Sequence, residues 1–398
     1  MSLPIAAETA DRQEERALLR ASAAAFVGRE SPTSRARALR GKAPGFDLRF
    51  WAAMAQQGWT GLLAPESAGG YDQGLAEMAE VVSALTEQAA PEPMTPVVVF
   101  AGRLLAGCGD NGMAASLLEQ MASGQLLPAV AWQEDATGSA ATDRAAGLAE
   151  PATVCAAHPS GLRLSGCKLH VRPGAAAGGY VVTASSSEGL ALVWLPAESA
   201  GLTRQLQRLA DGSFAAGLDI AGAVVPASHL LASGTKAHAA FAAAHDETLV
   251  MAGVELLACA RRMLAMTLDF LRTRQQFGKP IGSFQGLQHR AVDLLIQQEL
   301  SSALVGHALS EFDRGLVGRE RAQLAARVKA RCSHAALTIA RESVQMHGAI
   351  GVTDEHDLGL YLQRTLVLSA WLGNASQQRR RVAALSRRDA SGTEADAR

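Results

Sequence analysis

Apolar positions along the chain change their period twice. Over residues 1–125 they recur at helical spacing. Leu19, Ala23 and Phe26 share one face of a segment at 9–26, and segments at 50–57 and 75–88 repeat the pattern. Glu66-Ser-Ala-Gly-Gly70 predicts a glycine turn, and Pro91, Pro93 and Pro96 a stiff interruption before a helical segment at 97–106. From about 126 to 231 the pattern becomes short runs of Val, Leu and Ala bounded by Gly, Pro and Ser. These predict strands at 127–132, 152–157, 161–164, 168–172, 180–184, 191–195 and 221–225, at the spacing of a small antiparallel barrel or sandwich. Helical periodicity then returns for four long segments, 241–276, 285–314, 319–347 and 357–388, each long enough for a bundle helix.

The expected architecture is therefore α+β: a helical domain over 1–125, a β domain over 126–236 and a four-helix bundle over 237–388. A small, polar tail at 389–398 is expected to be disordered. Composition narrows the function classes. The chain has 398 residues, 48% of them hydrophobic and 19% charged, and a net charge of −1. That balance gives no concentrated basic field, so no nucleic-acid surface is expected. Arg379, Arg380 and Arg381 read as a solvated helix end. Five scattered cysteines without C-x-x-C spacing predict reduced thiols, and histidines on separate segments predict no metal site. The first residues lack a basic and apolar leader, and no apolar run reaches membrane length. The expectation is a cytoplasmic protein with no membrane contact.

Candidate chemistry gathers in the last third. Arg274-Gln-Gln-Phe277-Gly278 ends a long helix, and a guanidinium there suits either a pyrophosphate or the helix dipole. Gln285 follows in a Ser-Phe-Gln segment. Gln345-Met-His-Gly348-Ala-Ile-Gly351 lies 71 residues after Arg274, where its glycines either end a helix or admit close approach of a ligand. The two segments, in this order and separation, resemble the carboxy-terminal domain of the acyl-CoA dehydrogenases, FAD enzymes that desaturate acyl-CoA thioesters. The resemblance implies that Arg274, Phe277, Gln285, Gln345 and Gly348 contact FAD across a subunit interface. It also implies an oligomer, usually a dimer of dimers, and an electron-transfer partner that the sequence does not identify. Ala349 replaces one glycine of the family's pattern.

The departures are as informative. The family's Glu-Gly-Thr-Ser-Gln segment, whose Glu abstracts the substrate α-proton, falls 27 positions after Gln345, on Leu372-Gly373-Asn374-Ala-Ser376. Leucine accepts no proton, while Asn374 remains a candidate cofactor contact. Some members carry the base on the first bundle helix, at the position of Thr248 here. That makes the adjacent Glu247 the candidate base, reached by a one-residue slip. Glu255, in an apolar stretch, needs a partner such as Arg261 or Arg262, or a function of its own. In the β domain, Glu134, Gly138 and Ser139 remain of the family's flavin-facing segment, with Ser139 a candidate cofactor contact. His170-Val171-Arg172 stands where Trp-x-Thr meets the ring.

A missing base together with Pro91-Glu92-Pro93 resembles the second subunits of heteromeric bacterial acyl-CoA dehydrogenases. The leading expectation is thus an FAD-dependent acyl-CoA dehydrogenase-type subunit, homo- or hetero-oligomeric. The alternatives are a non-catalytic partner that completes another chain's flavin site, and a flavin-dependent monooxygenase of the same fold.

Overall fold

The computed structural model describes residues 10–135 and 150–392. Helix α1 (Ala10–Glu30) packs on α4 (Leu75–Glu87), with α2 (Thr33–Leu39), α3 (Leu48–Gln56) and α6 (Gly112–Ala122) around them. Polar caps set the starts: Asp47 accepts from Arg49 N at α3, and Asn111 accepts from Ala114 N at α6. After the proline segment, Thr95–Gly102 winds as a π-helix and tightens into α5 (Arg103–Ala106).

The middle domain is one eight-stranded sheet, not a closed barrel. Its strands are β1 (Pro128–Ala131), β2 (Val154–His158), β3 (Gly161–Val171), β4 (Gly179–Ser186), β5 (Gly189–Pro196), β6 (Leu202–Arg208), β7 (Phe214–Val225) and β8 (Leu230–Ser233). The order is β6-β7-β3-β2-β4-β5-β8, with β1 added beside β4. Most pairs are antiparallel, but β4 pairs parallel with both β1 and β2, which a simple meander from neighbour to neighbour would not give. Alternation decides which core each side chain joins. Tyr180, Val182 and Ala184 of β4, with Ala191, Val193 and Leu195 of β5, fill the sheet's own core. Val181, Leu192 and Trp194, on the opposite face, join the core shared with the helices.

The bundle begins with α7 (Gly234–Thr273), 40 residues and about 60 Å long. A two-residue ribbon, β9 (Gln275–Gln276) and β10 (Lys279–Pro280), leads to α8 (Gln285–Asp313) and α9 (Gly318–His347). The fourth segment is not continuous. It divides into α10 (Leu358–Ala370) and α11 (Ala375–Gly392) around a turn with φ +60° at Leu372 and +89° at Gly373. Helix α11 runs past residue 389, where the sequence suggested a tail. Among the described residues no helix is long and apolar enough to cross a membrane.

Helices α7 and α9 approach closely because Gly253 presents no side chain: a Cβ there would stand 2.4 Å from Val328 Cγ1. Val328 is β-branched and fully buried, so it has little room to turn away. G253A is therefore expected to lower stability by about 1–3 kcal/mol, and V328A in the same chain to recover part of the loss. Urea midpoints check this; an unchanged midpoint for G253A would contradict the close crossing.

Candidate active site

The sheet and the bundle enclose a pocket of about 420 Å³, lined by Gln133, His170, Arg172, Trp371, Asn374 and Gln377 among others. A register shift between Lys168 and Val171 re-aims the end of β3, placing His170, at φ +55°, and Arg172 on the pocket wall. On the opposite wall the turn at 371–374 carries Trp371 and Asn374. Asn374 caps α11, its Oδ1 accepting from Ser376 N and Gln377 N, while Asn374 N donates to Gln377 Oε1.

The turn itself is held from beneath. Lys329, fully buried on α9, donates to Ser333 Oγ at 3.1 Å, Ser369 O at 3.2 Å and Gly373 O at 3.0 Å. Its ammonium thus meets three acceptors, one of them a last-turn carbonyl of α10. Gln378 Nε2 donates to Leu372 O at 2.6 Å. The Leu372 side chain lies wholly buried in the main core. Burial pushes Lys329 down to about 7 from its ordinary 10.5. The folded chain therefore binds fewer protons than the unfolded chain between those values, and this residue's contribution makes stability rise with pH from about 7 to about 10.5. K329M is expected to flatten that limb of the stability profile. An unchanged slope in denaturant titrations across this range would show the ammonium to be unperturbed.

Beyond Arg172, on the side away from the large pocket, only about 40 Å³ remains among Pro91, Pro93, Glu255, Arg364 and Trp371. Charge occupies the rest. Arg172 lies over the Trp371 ring at 5.3 Å. Arg364 donates to Glu255 Oε2 at 2.6 Å and stands 3.8 Å from Asp211, and Thr95 Oγ1 donates to the other Glu255 oxygen. Burial opposes the Arg364 charge, yet Glu255 and Asp211 hold its pKa above the ordinary value. The partner of Glu255 is thus Arg364, not Arg261 or Arg262; Arg261 donates to Ser302 instead.

Glu247 does not line this pocket. It is 4% exposed and takes Arg103 Nε and Arg321 Nη2, both at 2.6 Å, joining α5 to α7 and α9. The helix turn points its carboxylate at two guanidiniums, so the expectation of a displaced base there gives way to a structural strut. E247A leaves both arginines without their shared partner and is expected to cost about 3 kcal/mol or more of stability. Chemical denaturation checks it; a loss below about 1 kcal/mol would mean that the arginines find other partners. Glu134 is likewise engaged. It binds Lys168 Nζ at 2.6 Å and the backbone N of Ala152 and Thr153. Burial lowers Lys168 to about 8, opposed by Glu134. Ser139, with Gly138, lies outside the described residues.

The remaining motif residues collect at one end of the bundle. Arg274 is the C-cap of α7, Gln285 opens α8, and Gln345 and Gly348 end α9; all are exposed. His347 stacks on Phe270 at 4.5 Å, which brings the ends of α7 and α9 together. Phe277 sits at the tip of the β9–β10 ribbon with φ +53°, next to Gly278 at +75°, and is 89% exposed. A bulky residue in this conformation, turned outward, is a strained presentation. None of these five residues lines the 420 Å³ pocket. The motif residues and the pocket thus lie at separate places on the chain. Sequence reasoning missed Gln133, Trp371, Gln377 and Arg364, which become neighbours only through tertiary packing.

Comparison with known proteins identifies the family. The acyl-CoA dehydrogenase N-terminal domain model matches residues 13–125 and the C-terminal domain model residues 241–386. The chain belongs to the acyl-CoA dehydrogenase family, whose members are flavoprotein oxidoreductases that use FAD. It is 26% identical over 355 residues to acyl-CoA dehydrogenase IpdE2 of Mycobacterium tuberculosis, covering 88% of this chain and 91% of that one. It is 28% identical over 350 residues to FadE27 of the same organism, covering 85% and 87%. Among solved structures, a variant of the Tcur3481–Tcur3483 steroid ACAD superposes with a TM-score of 0.84 at 25% identity, covering 95% of this chain and 99% of that one.

The residues bear on FAD unequally. The 420 Å³ pocket, with amide groups from Gln133, Asn374 and Gln377 and a flat aromatic wall, fits a planar heterocycle with hydrogen-bonding edges. The 40 Å³ beside it does not fit the acyl part of a thioester.

Proposed function

We propose that this chain is the flavin-site-completing subunit of a heteromeric acyl-CoA dehydrogenase. It presents Arg274, Phe277, Gln285, Gln345 and Gly348 to FAD held by a second, catalytic subunit. The observation that carries the reading is the exposed, preformed motif cluster at the bundle end, set apart from a pocket beside which Arg172, Arg364, Glu255 and Trp371 leave only about 40 Å³. Leu372 at the base position agrees with it, being apolar and turned into the core.

Bound FAD supplies the hydride acceptor for desaturation of an acyl-CoA thioester. This chain's part is to hold it. The Arg274 guanidinium offers a forked, permanent charge to a pyrophosphate, Phe277 covers apolar ring surface, and Gln345 with the bare backbone at Gly348 admits close approach. In the chain's own 420 Å³ pocket, Asn374 and Gln133 are the cofactor-facing groups.

Association has a surface to use. Val292, Leu295, Ile296 and Leu300 form an exposed apolar stripe along α8, and Ile350 and Val352 lie exposed beyond the end of α9. Hetero-oligomerisation through this face covers the stripe and brings Arg274 to a neighbour's cofactor. The likeness to a steroid ACAD whose name joins two components supports such pairing.

Purified alone, the chain is expected to show no bleaching of flavin by acyl-CoA under anaerobic conditions. Recovered with its partner from source cells, the complex is expected to carry FAD. R274A is expected to lower its FAD affinity by about tenfold or more, the equivalent of one lost charge-assisted contact. One FAD per isolated chain, bleached by an acyl-CoA, would sink this reading in favour of a self-sufficient dehydrogenase.

A further inference from the structure

The turn that follows α9 has little of its own to hold it in place. Gly348–Val352 winds as a 3-10 helix whose only buried residue is Gly351, and Ile350 and Val352 stand exposed. Gly348, at φ +66°, and Gln345 just before it belong to the exposed motif cluster. A segment without buried side chains opens easily, so its position depends on what grips its flanks.

The near flank is a pile of rings. His347 stacks on Phe270 of α7, and His356 meets the His347 ring edge-on at 4.8 Å. His347 Nδ1 donates to Ser343 O, and His356 Nδ1 accepts from Leu358 N, so backbone groups orient both rings.

The far flank, residues 354–357, is gripped by the amino-terminal domain. Arg40 Nη2 donates to both Asp354 carboxylate oxygens at 2.9 Å, and Arg40 Nη1 to Gln363 Oε1 at 3.0 Å. Arg37 Nη2 donates to Asp357 Oδ1 at 2.7 Å and to Glu355 O at 3.3 Å. Thr33 Oγ1 takes the other Asp357 oxygen at 2.9 Å.

Helix α2 is suited to this grip because it is itself anchored. Arg35 turns back into its own domain, donating to Glu92 and lying over the Phe50 ring at 4.3 Å. Arg37 and Arg40, three residues apart, share the face toward 354–357. These ion pairs are partly open to solvent; the Asp354 side chain is 77% exposed. Exposed pairs contribute little to global stability. Converging on so short a stretch of loop, they act on where its backbone lies.

We propose that Arg37 and Arg40 are positioning residues for the flavin-completing cluster. Through Asp354 and Asp357 they set where Gln345 and Gly348 meet the FAD of a second subunit. The amino-terminal domain thereby takes part in the shared site, although the motif residues all lie in the bundle. This inference rests on the subunit role proposed above.

Fluorescence titration of FAD into the deflavinated complex of the chain with its partner tests it, with R274A as the reference variant. R37Q/R40Q is expected to weaken FAD by about three- to tenfold, with the melting temperature unchanged to within about 2 °C. Amide hydrogen exchange over residues 348–357 is expected to quicken in the same variant with no FAD present. R40D alone is expected to weaken FAD, and D354R added to R40D to restore most of the affinity, because the reversed pair makes the same contact. If R274A weakens FAD and R37Q/R40Q does not, the positioning role is overturned while the subunit reading stands. If R274A has no effect, the subunit reading fails and this inference falls with it. A loss of affinity that D354R does not rescue, matched by a fall in melting temperature, assigns these arginines to stability alone and likewise overturns the proposal.

Discussion

Three carboxylates buried along one face-to-face stretch of α7 organise the molecule. Asp246, Glu247 and Glu255 are each under 5% exposed, and each is met by a guanidinium from a different element. Arg381 of α11 reaches Asp246 at 2.8 Å, Arg103 and Arg321 share Glu247, and Arg364 of α10 holds Glu255. A charge in the interior is tolerated only when paired and hydrogen-bonded, so the chain cannot fold around α7 with these partners elsewhere. The same helix thereby fixes the amino-terminal helices, the rest of the bundle and the closed side of the channel. Such pairs add little net stability over apolar packing. Their effect is to make one arrangement of helices the only one without orphaned charge.

The turn at the start of α11 is fixed by its neighbours rather than by its own backbone preferences. Lys329, Gln378 and the Asn374 cap hold the backbone of residues 369–374 from three directions. A leucine at φ +60° is unfavourable in isolation, and it persists because these contacts over-determine the loop. The Leu372 side chain is directed into the core. The flanking Trp371 stacks with Arg172 across the passage.

The broad plan was legible in the sequence, because it rests on periodicity. The change from helical to alternating spacing near residue 126, and back by 241, follows the order of helices, strands and helices that the structure shows. What periodicity could not show is pairing at long range. The parallel partners of β4 are set by packing between distant segments, so a barrel and a sheet read alike. Strand β6, Leu202–Arg208, is nearly all exposed and polar, and carries no alternation to detect. The motif residues Arg274, Phe277, Gln345 and Gly348 were singled out through the family resemblance. Trp371 and Arg364 were not, since their role depends on which helix faces them. The surroundings of Glu247 were hidden for the same reason: a count along one helix gives a direction, but the arginines that meet it come from α5 and α9.

That exposed strand β6 has a consequence for the assembled protein. Among the described residues it forms the outer margin of the sheet, paired on one side only, with β7. An unpaired margin of backbone N–H and C=O groups is an open invitation to add a further strand from another molecule. Here that margin carries Arg204, Gln205, Gln207 and Arg208, with exposed side chains along the strand. Two like charges would face their own copies in any edge-to-edge approach, and no apolar stripe rewards it. Growth by strand addition is thus disfavoured at this margin, whatever the rest of the surface meets.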